Sequence, residues 1–557
     1  MELLPSHGSV TAPPGHRSAA RAYSYTGTRP RPFETEIDWP ERRVIFLTRI
    51  GRRNVSVVAA AIAAAAIALL NPNAAAATGE LSQATGAGLC FHEGFALRTQ
   101  ILELGSYVEK KGFCRRAVGL QGASRIEISP DGRNAYVTAT NSSTLTIFRR
   151  DPRSGRLAQL RGRSGCISPN GAIHSYNSQG LLKKRKGPKS KPCGRGRGLR
   201  GVVDAVVSAD GRFVYTASYD PGNAISVFAR NADTGRLTQL SGEGGCISEE
   251  GEGGCAEGHR LDDAISIVLS PDGKYLYAAT YSSRAVVVME RDPATGVLTL
   301  LPGQASCISD VRRSGECSEG RALKEASDLV VSPDGRNVYV SSQESNALAV
   351  FDRDPLTGQL TQKPGAAGCF SDGGALGCAG GADVGQAIDV AISPDGKSVY
   401  VSAVEPNAVV IFDRNPANGE LTPKPGAAGC VAGNSALARH SPCQRARGLI
   451  SPSEIEFSPD GKNVYVASSG TAGVAIFDRD PLSGALSQKP GKAGCISSQR
   501  TKGACRTAFG LVGTGYLAIS PDGSNLYVGA AFDGVSALNR RLPQPEAVAT
   551  TALAHWP

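Results

Sequence analysis

A tetrad of Ser, Pro or Ala, Asp and Gly recurs seven times in this chain, beginning at Ser129, Ser208, Ser270, Ser332, Ser393, Ser458 and Ser520. The copies are 79, 62, 62, 61, 65 and 62 residues apart. The stretch Val330 to Cys369 shows the content of one unit. Val330-Val331 runs into the turn Ser332-Pro333-Asp334-Gly335, and Asn337 to Ser342 forms the next apolar run. Asn346 stands where a tight turn needs a left-handed residue, before the third run, Ala347 to Asp352. Asp354-Pro355-Leu356-Thr357-Gly358 then makes a hairpin into Leu360-Thr361-Gln362. Such a meander cannot cover its own two faces, so seven of them must stack. The chain is therefore expected to be all-β: a seven-bladed β-propeller of four-stranded antiparallel blades. The period exceeds the ~40–45 residues of a minimal blade. The surplus follows the fourth strand and contains the cysteines.

The two ends of the repeat region are complementary. Thr78-Gly79-Glu80-Leu81-Ser82-Gln83 matches Thr357 to Gln362, the entry to a fourth strand, whereas Gly534 to Leu538 matches a third strand with no fourth after it. An N-terminal strand completing the last blade would close the ring and remove an exposed edge. The propeller is thus assigned to 78–542. Residues 1–77 read as a disordered extension plus a secretory signal, with a basic Arg49 to Arg53, an apolar region at 55–70 and small residues up to Ala77. The apolar run is shorter than the ~20 residues that span a bilayer, which leaves an uncleaved membrane anchor as the lesser alternative. The signal also starts unusually far from Met1, as if translation began downstream. Residues 543–557 read as a disordered tail.

Fourteen cysteines form seven couples, one per repeat. They are Cys90 with Cys114, Cys166 with Cys193, Cys246 with Cys255, Cys307 with Cys317, Cys369 with Cys378, Cys430 with Cys443, and Cys495 with Cys505. An even count, one couple per repeat and an export signal point to disulfides formed outside the cytoplasm, in a secreted protein. Metal binding would favour Cys-x-x-Cys spacing, which is absent. Nearest-neighbour pairing is the simplest connectivity, and bridges between loops stay open. Loops joining an outer strand to the next inner strand should share one face and form a collar around the channel.

Lys plus Arg total 60 against 50 Asp plus Glu, and part of the excess lies before the propeller. One loop is strongly basic, with Lys183, Lys184, Arg185, Lys186, Lys189 and Lys191 between Cys166 and Cys193. It reads either as a patch for an acidic polymer or anionic surface, or as a solvated insertion. No aromatic interleaving accompanies it, so nucleic acid is not an expected partner.

No nucleophile elbow, zinc-protease pair or phosphate loop is present. His92-Glu93 continues as Gly94-Phe95-Ala96, and Gly194 to Gly198 reads as a flexible linker. Four residues before each tetrad, on the innermost strand, stand Arg125, Asp204, Ser266, Asp328, Asp389, Glu454 and Tyr516. Radial convergence would gather Asp204, Asp328, Asp389 and Glu454 near the channel mouth. There they could hold a divalent cation such as calcium or act on water, or each could pair with a linker arginine: Arg197, Arg321 or Arg447. Asp389 faces Ala382 at the linker position and so lacks that partner. His92, His174, His259 and His440 lie in or beside the cysteine loops, with His555 in the tail. A shared role for them is possible only if the loops converge. The Asp352-Arg353-Asp354-Pro355 pattern lacks the later oxygen ligands of a calcium loop and reads as a hairpin.

The repeated Ser-Pro-Asp-Gly-x-x-x-Tyr-Val core, as in Ser332 to Val340 and Ser393 to Val401, resembles the YVTN-type propeller repeat. With Phe351 to Leu360 it also resembles the seven-bladed bacterial lactonase-like family, which includes 6-phosphogluconolactonase. The matching residues are turn and core positions, so the resemblance implies the fold and leaves the catalytic residues unassigned. Two functions follow as expectations: a monomeric binding or scaffold module using its loop face for a protein or polysaccharide, or a hydrolase of a lactone or related ester at the channel.

Overall fold

The computed structural model describes residues 78–83, 90–93, 114–173, 175–176, 182–183, 192–311, 315–433, 442–499, 501–532 and 534–542. The expected signal at 55–70, the extension up to 77 and the tail 543–557 lie outside the described residues. Each tetrad closes a hairpin in the same manner. In the fourth copy Ser332 Oγ donates to Asp334 Oδ1 at 2.5 Å and accepts from the Asn337 amide at 3.0 Å. Gly335 sits at φ 70°, which a residue without Cβ adopts freely. The hairpin joins Ala326–Val331 to Asn337–Ser342, and Ala347–Arg353 pairs antiparallel beyond them. Asn346 between the last two is left-handed, at φ 47°.

This meander recurs around seven inner strands: Ala123–Ile128, Val202–Val207, Ala264–Leu269, Ala326–Val331, Ala387–Ile392, Pro452–Phe457 and Thr514–Ile519. They begin blades 1 to 7. The second strand of every blade is buried at all six positions, because each blade face packs against a neighbouring blade. The core is accordingly a series of inter-blade clusters. Tyr275, Val286 and Ile308 of blade 3 pack with Leu329, Val340 and Phe351 of blade 4, for example.

The outer edge departs from the expected continuous fourth strand. In blade 4 Leu360–Gln362 pairs with one end of the third strand, Gly365–Gly368 makes a 3-10 turn, and Cys369–Ser371 pairs with the other end. The first cysteine of each couple is therefore inside the blade. After the second cysteine, a short parallel strand or bridge adds to the edge, as Ser318–Glu319 does beside Cys307–Ser309. Gly194–Arg195 is one of these strands and is no flexible linker. Blade size thus reaches six strand segments.

All seven couples are bonded as nearest pairs, and no cysteine among the described residues is free. Cys90 bonds Cys114, Cys166 bonds Cys193, Cys246 bonds Cys255, and Cys307 bonds Cys317. Cys369 bonds Cys378, Cys430 bonds Cys443, and Cys495 bonds Cys505. The second member of each pair, whether Cys114, Cys193, Cys255, Cys317, Cys378, Cys443 or Cys505, immediately precedes the added edge strand or bridge. That position corrects the expected collar around the channel: the bonds form a rim on the outer edges, because the split fourth strand that they fasten is the strand farthest from the axis. In blade 7, Leu81–Gln83 and Cys90–His92 supply the outer edge to Gly534–Arg540, with Leu81 opposite Arg540 and Cys90 opposite Ser536.

An arginine ends every third strand, and it joins blades. Arg414 of blade 5 donates from Nε to Tyr339 Oη (2.7 Å), and from Nη2 to Asp334 Oδ2 (2.7 Å) and Asn337 Oδ1 (2.8 Å), all in blade 4. Its Nη1 donates to Gly396 O in its own tetrad turn at 3.0 Å. Tyr339 Oη returns a bond to Gly419 O of blade 5 at 2.8 Å. Arg150, Arg230, Arg291, Arg353, Arg479 and Arg540 repeat the pattern on Tyr527, Tyr136, Tyr215, Tyr277, Tyr400 and Tyr465. The tetrad aspartate therefore shapes its own turn and anchors the next blade. Although partial burial works against its charge, bonds from Ser332 and Arg414 hold the Asp334 carboxyl below its ordinary range. Asp522 is lowered to about 2.

Replacing Arg414 with Met is expected to destabilise the propeller by about 3–5 kcal/mol, because Asp334 and Tyr339 lose their buried partner. Asp334→Asn should cost less, since the aspartate is partly exposed and Asn keeps an acceptor. Thermal unfolding of the non-reduced protein ranks the two variants. The depressed aspartates contribute stability above their ordinary pKa, and that contribution is lost as pH falls towards about 2. Reduction of the disulfides should lower the midpoint further, each closed loop contributing roughly 3 kcal/mol.

Candidate active site

Every inner strand shifts register at one place: between Val202 and Asp204 in blade 2, between Ala387 and Asp389 in blade 5, and correspondingly in the others. A bulge of this kind re-aims the next side chain. It turns Arg125, Asp204, Ser266, Asp328, Asp389, Glu454 and Tyr516 into one cavity of about 560 Å3 on the central channel. Tyr219, Tyr281 and Gln343 stand in its wall, and Ser327 and Ser453 beside the acids. The four predicted acids are thus brought together.

Their hydrogen bonds show how a crowded carboxylate ring is tolerated. Asp204 Oδ2 accepts the Ile267 amide of blade 3 at 2.8 Å, Asp328 Oδ2 the Val390 amide of blade 5 at 3.1 Å, and Asp389 Oδ2 the Ile455 amide of blade 6 at 3.0 Å. Glu454 Oε2 accepts the Leu517 amide of blade 7. Each acid therefore reaches sideways to the next blade's backbone. Arg125 is their counter-ion: its Nε lies 2.9 Å from Asp204 Oδ1 and its Nη1 pairs with Glu454 Oε1. Ser266 Oγ donates to Asp328 Oδ1 at 2.6 Å. Among the described residues, Asp389 Oδ1 alone of these carboxylate oxygens receives no hydrogen bond. Its carboxyl is pushed well above the ordinary range by burial, with the charges of Asp328 and Glu454 adding to the effect. Burial, opposed by Arg125, raises Glu454 to about 7.

Two acids that the sequence reading passed over share this channel. Glu127 and Glu456 lie two residues beyond Arg125 and Glu454 and accept the Val207 and Ile519 amides of neighbouring blades at 3.3 and 3.1 Å. Burial raises them to about 7 and about 8. The period of two along a strand was the available signal.

The linker arginines are elsewhere. Arg197 Nη2 donates to Gly242 O at 2.6 Å, Arg321 Nη1 to Gly377 O at 3.3 Å and Arg447 Nη2 to Lys489 O at 2.8 Å. They fasten the linker to the outer loop of the next blade, not to the ring acids, because the linker runs along the blade edge. No three His, Cys, Asp or Glu among the described residues form a metal-holding group. Of the histidines, His259 Nε2 bonds Ser306 Oγ at 2.8 Å and His92 is on an outer strand, both away from the channel, and His174, His440 and His555 lie outside the described residues. Among the described residues, the cysteine loops contribute nothing to the cavity, because they occupy the outer edges. Of the basic loop, Lys183 is placed only by its backbone, in a two-residue strand, and Lys184, Arg185, Lys186, Lys189 and Lys191 lie outside the described residues.

Residues 303–367 match the family described as Lactonase, 7-bladed beta-propeller. No curated protein matches the chain significantly. Among solved structures, the chain is similar to a Bacteroides fragilis protein provisionally named a 6-phosphogluconolactonase, at 19% identity over 74% of this chain and 95% of that one, TM-score 0.45. It is also similar to the Pseudomonas aeruginosa periplasmic gluconolactonase, at 21% identity over 74% and 93%, TM-score 0.44. Hydrazine synthase of Kuenenia stuttgartiensis gives 15% identity over 78% and 100%, TM-score 0.45. The seven disulfides belong to a protein that folds outside the reducing cytoplasm.

A carboxyl whose pKa is raised in the fold favours stability while protonated and opposes it once ionised. Stability should accordingly fall as pH rises above the ordinary glutamate range, and the loss should be complete once Glu127, Glu454 and Glu456 lose their protons in the fold, at about 7 to 8. Glu456→Gln is expected to recover about 1–3 kcal/mol at pH 9 and nothing at pH 5. Thermal midpoints of both proteins across that range check this.

Proposed function

We propose that this chain is an exported hydrolase of lactones or related esters, acting in the central channel. The observation that carries the reading is the channel cavity, where a ring of buried acids includes one carboxyl, Asp389, that burial and the charges of Asp328 and Glu454 push well above the ordinary range and that keeps an uncommitted oxygen. A lactone needs a proton delivered to its ring oxygen, a proton removed from water, and stabilisation of the oxyanion between them. Asp389 can supply the first. Asp328 beside it can take the second, and the Arg125 guanidinium can offer N–H groups to the third. Water adds to the carbonyl carbon, the ring C–O bond breaks, and the product is the open hydroxy acid. Tyr219 and Tyr281 offer apolar faces with polar tips at the mouth, as a polyol ring would use. The lactonase match at residues 303–367 supports the same reading. Periplasm and extracellular space are both compatible with it.

A passive recognition module could use the same cavity, and turnover separates the two. Asp389→Asn should lower kcat/KM on a panel of sugar and aliphatic lactones by roughly 100-fold or more, with an unchanged thermal midpoint. The Asn amide oxygen still accepts the Ile455 N–H, so the blade junction survives. Activity that persists in chelator would favour acid–base chemistry over a calcium-assisted route. No turnover by the folded, fully oxidised protein would leave recognition as the function.

A further inference from the structure

A second cavity, about 700 Å3, lies away from the channel between the outer edges of blades 1 and 2. Its wall contains Arg163, Arg195, Arg197 and Arg236 and, among the described residues, no Asp or Glu. Arg197 is fixed by the carbonyls of Leu240 and Gly242 at 3.2 and 2.6 Å. Arg163, Arg195 and Arg236 are exposed, and none has an acidic partner among the described residues.

The repeats provide an internal control. A residue required by blade architecture recurs at the equivalent place in other blades, as the tetrad and the arginine clasps do. The residues equivalent to Arg163, Arg195 and Arg236 are Glu243, Glu257 and Val297 at the next junction, and Gln304, Glu319 and Gln359 at the one after. At the junction of blades 5 and 6 they are Ala427, Arg445 and Ala485. At the junction of blades 7 and 1, Arg116 and Arg156 stand at the places of Arg195 and Arg236, so among the described residues all three arginines coincide only between blades 1 and 2, and Arg163 has no arginine counterpart. Arg197 has counterparts at Arg321 and Arg447, which are bonded in the same way. The three others do not form part of that architecture.

We infer that this groove binds a polyanionic glycan, a chain of uronate or sulfated sugars. Three unpartnered guanidinium groups around a concavity match carboxylates or sulfates spaced along a polyol, each able to take two N–H bonds. The remaining wall is aliphatic and hydroxylic: Ile147, Ile167, Leu237, Thr238 and Ser241. Among the described residues it has no aromatic ring on which a nucleobase would stack. The site is recessed, which suits a single chain better than a bilayer surface. Such binding would hold an exported protein on an acidic matrix while leaving the channel open.

The test uses the full-length, non-reduced protein and measures Kd for polygalacturonate, dextran sulfate and neutral dextran at several salt concentrations. The combined variant Arg163→Ser, Arg195→Ser and Arg236→Ser is compared with a charge-matched control, Arg133→Ser, Arg149→Ser and Arg336→Ser, at exposed positions elsewhere. The expected result is binding of both polyanions but not dextran, weakened roughly tenfold or more in the groove variant and unchanged in the control. The salt dependence should flatten in the groove variant. Equal weakening by both variants, full affinity in the groove variant, or no polyanion binding by the wild type would overturn the assignment. So would anionic vesicles or single-stranded DNA competing as well as polygalacturonate in a groove-dependent way. Lactone turnover is read in parallel and should be the same in both variants, so failure here leaves the channel assignment standing.

Discussion

The ring is held by one interaction repeated seven times: an arginine at the end of each third strand, bonded to a buried tyrosine of the preceding blade. Burying a guanidinium is costly unless its donors are all met and its charge is opposed. Here the tetrad aspartate, a buried tyrosine and a turn carbonyl meet them, and Asn134, Asn337, Asn463 or Asn525 adds an acceptor in four blades. The same contact fixes blade spacing and orientation, so the apolar faces between blades meet in register. Arg150 and Arg540 extend the pattern across the two junctions of blade 7, which is built from both ends of the described chain. Closure therefore uses the same bonds as every other junction.

The channel uses a different solution to the same electrostatic difficulty. Four carboxyls and Arg125 share a small space, and backbone amides of neighbouring blades neutralise one oxygen of each acid. The ring acids are thus part of the blade junctions and also line the cavity. Asp389 differs because Arg125 reaches Asp204 and Glu454, and Ser266 reaches Asp328, but neither reaches it. An acid whose pKa is raised by burial and by neighbouring carboxylates, with an oxygen facing the cavity, is suited to proton delivery, which the other junction contacts are not.

At the rim the disulfides have a third role. They tie a split outer strand to a short parallel strand, closing an edge that otherwise exposes unpaired backbone groups, as the Cys307 to Cys317 bond does in blade 3. With the edge secured covalently, rim residues are released from structural duty and can differ from blade to blade. The arginine groove between blades 1 and 2 occupies such positions.

The sequence by itself determined the blade count, the order of the three inner strands of a blade, the cysteine couples and the ring position of Asp204, Asp328, Asp389 and Glu454. All of these follow from local turn chemistry and from a period that repeats. The partners of those residues were decided only by the tertiary structure. Arg197, Arg321 and Arg447 were matched to the ring acids by spacing, yet the linker passes along the outer edge and leaves them on loop carbonyls. The clasp arginines looked like parts of a hairpin because their tyrosine and aspartate partners lie some 75 or more residues away. Arg125 emerged as the counter-ion only once blade 1 stood between blades 7 and 2. Spacing along a chain constrains which face a side chain takes. Which neighbour it meets across a junction depends on how the ring closes.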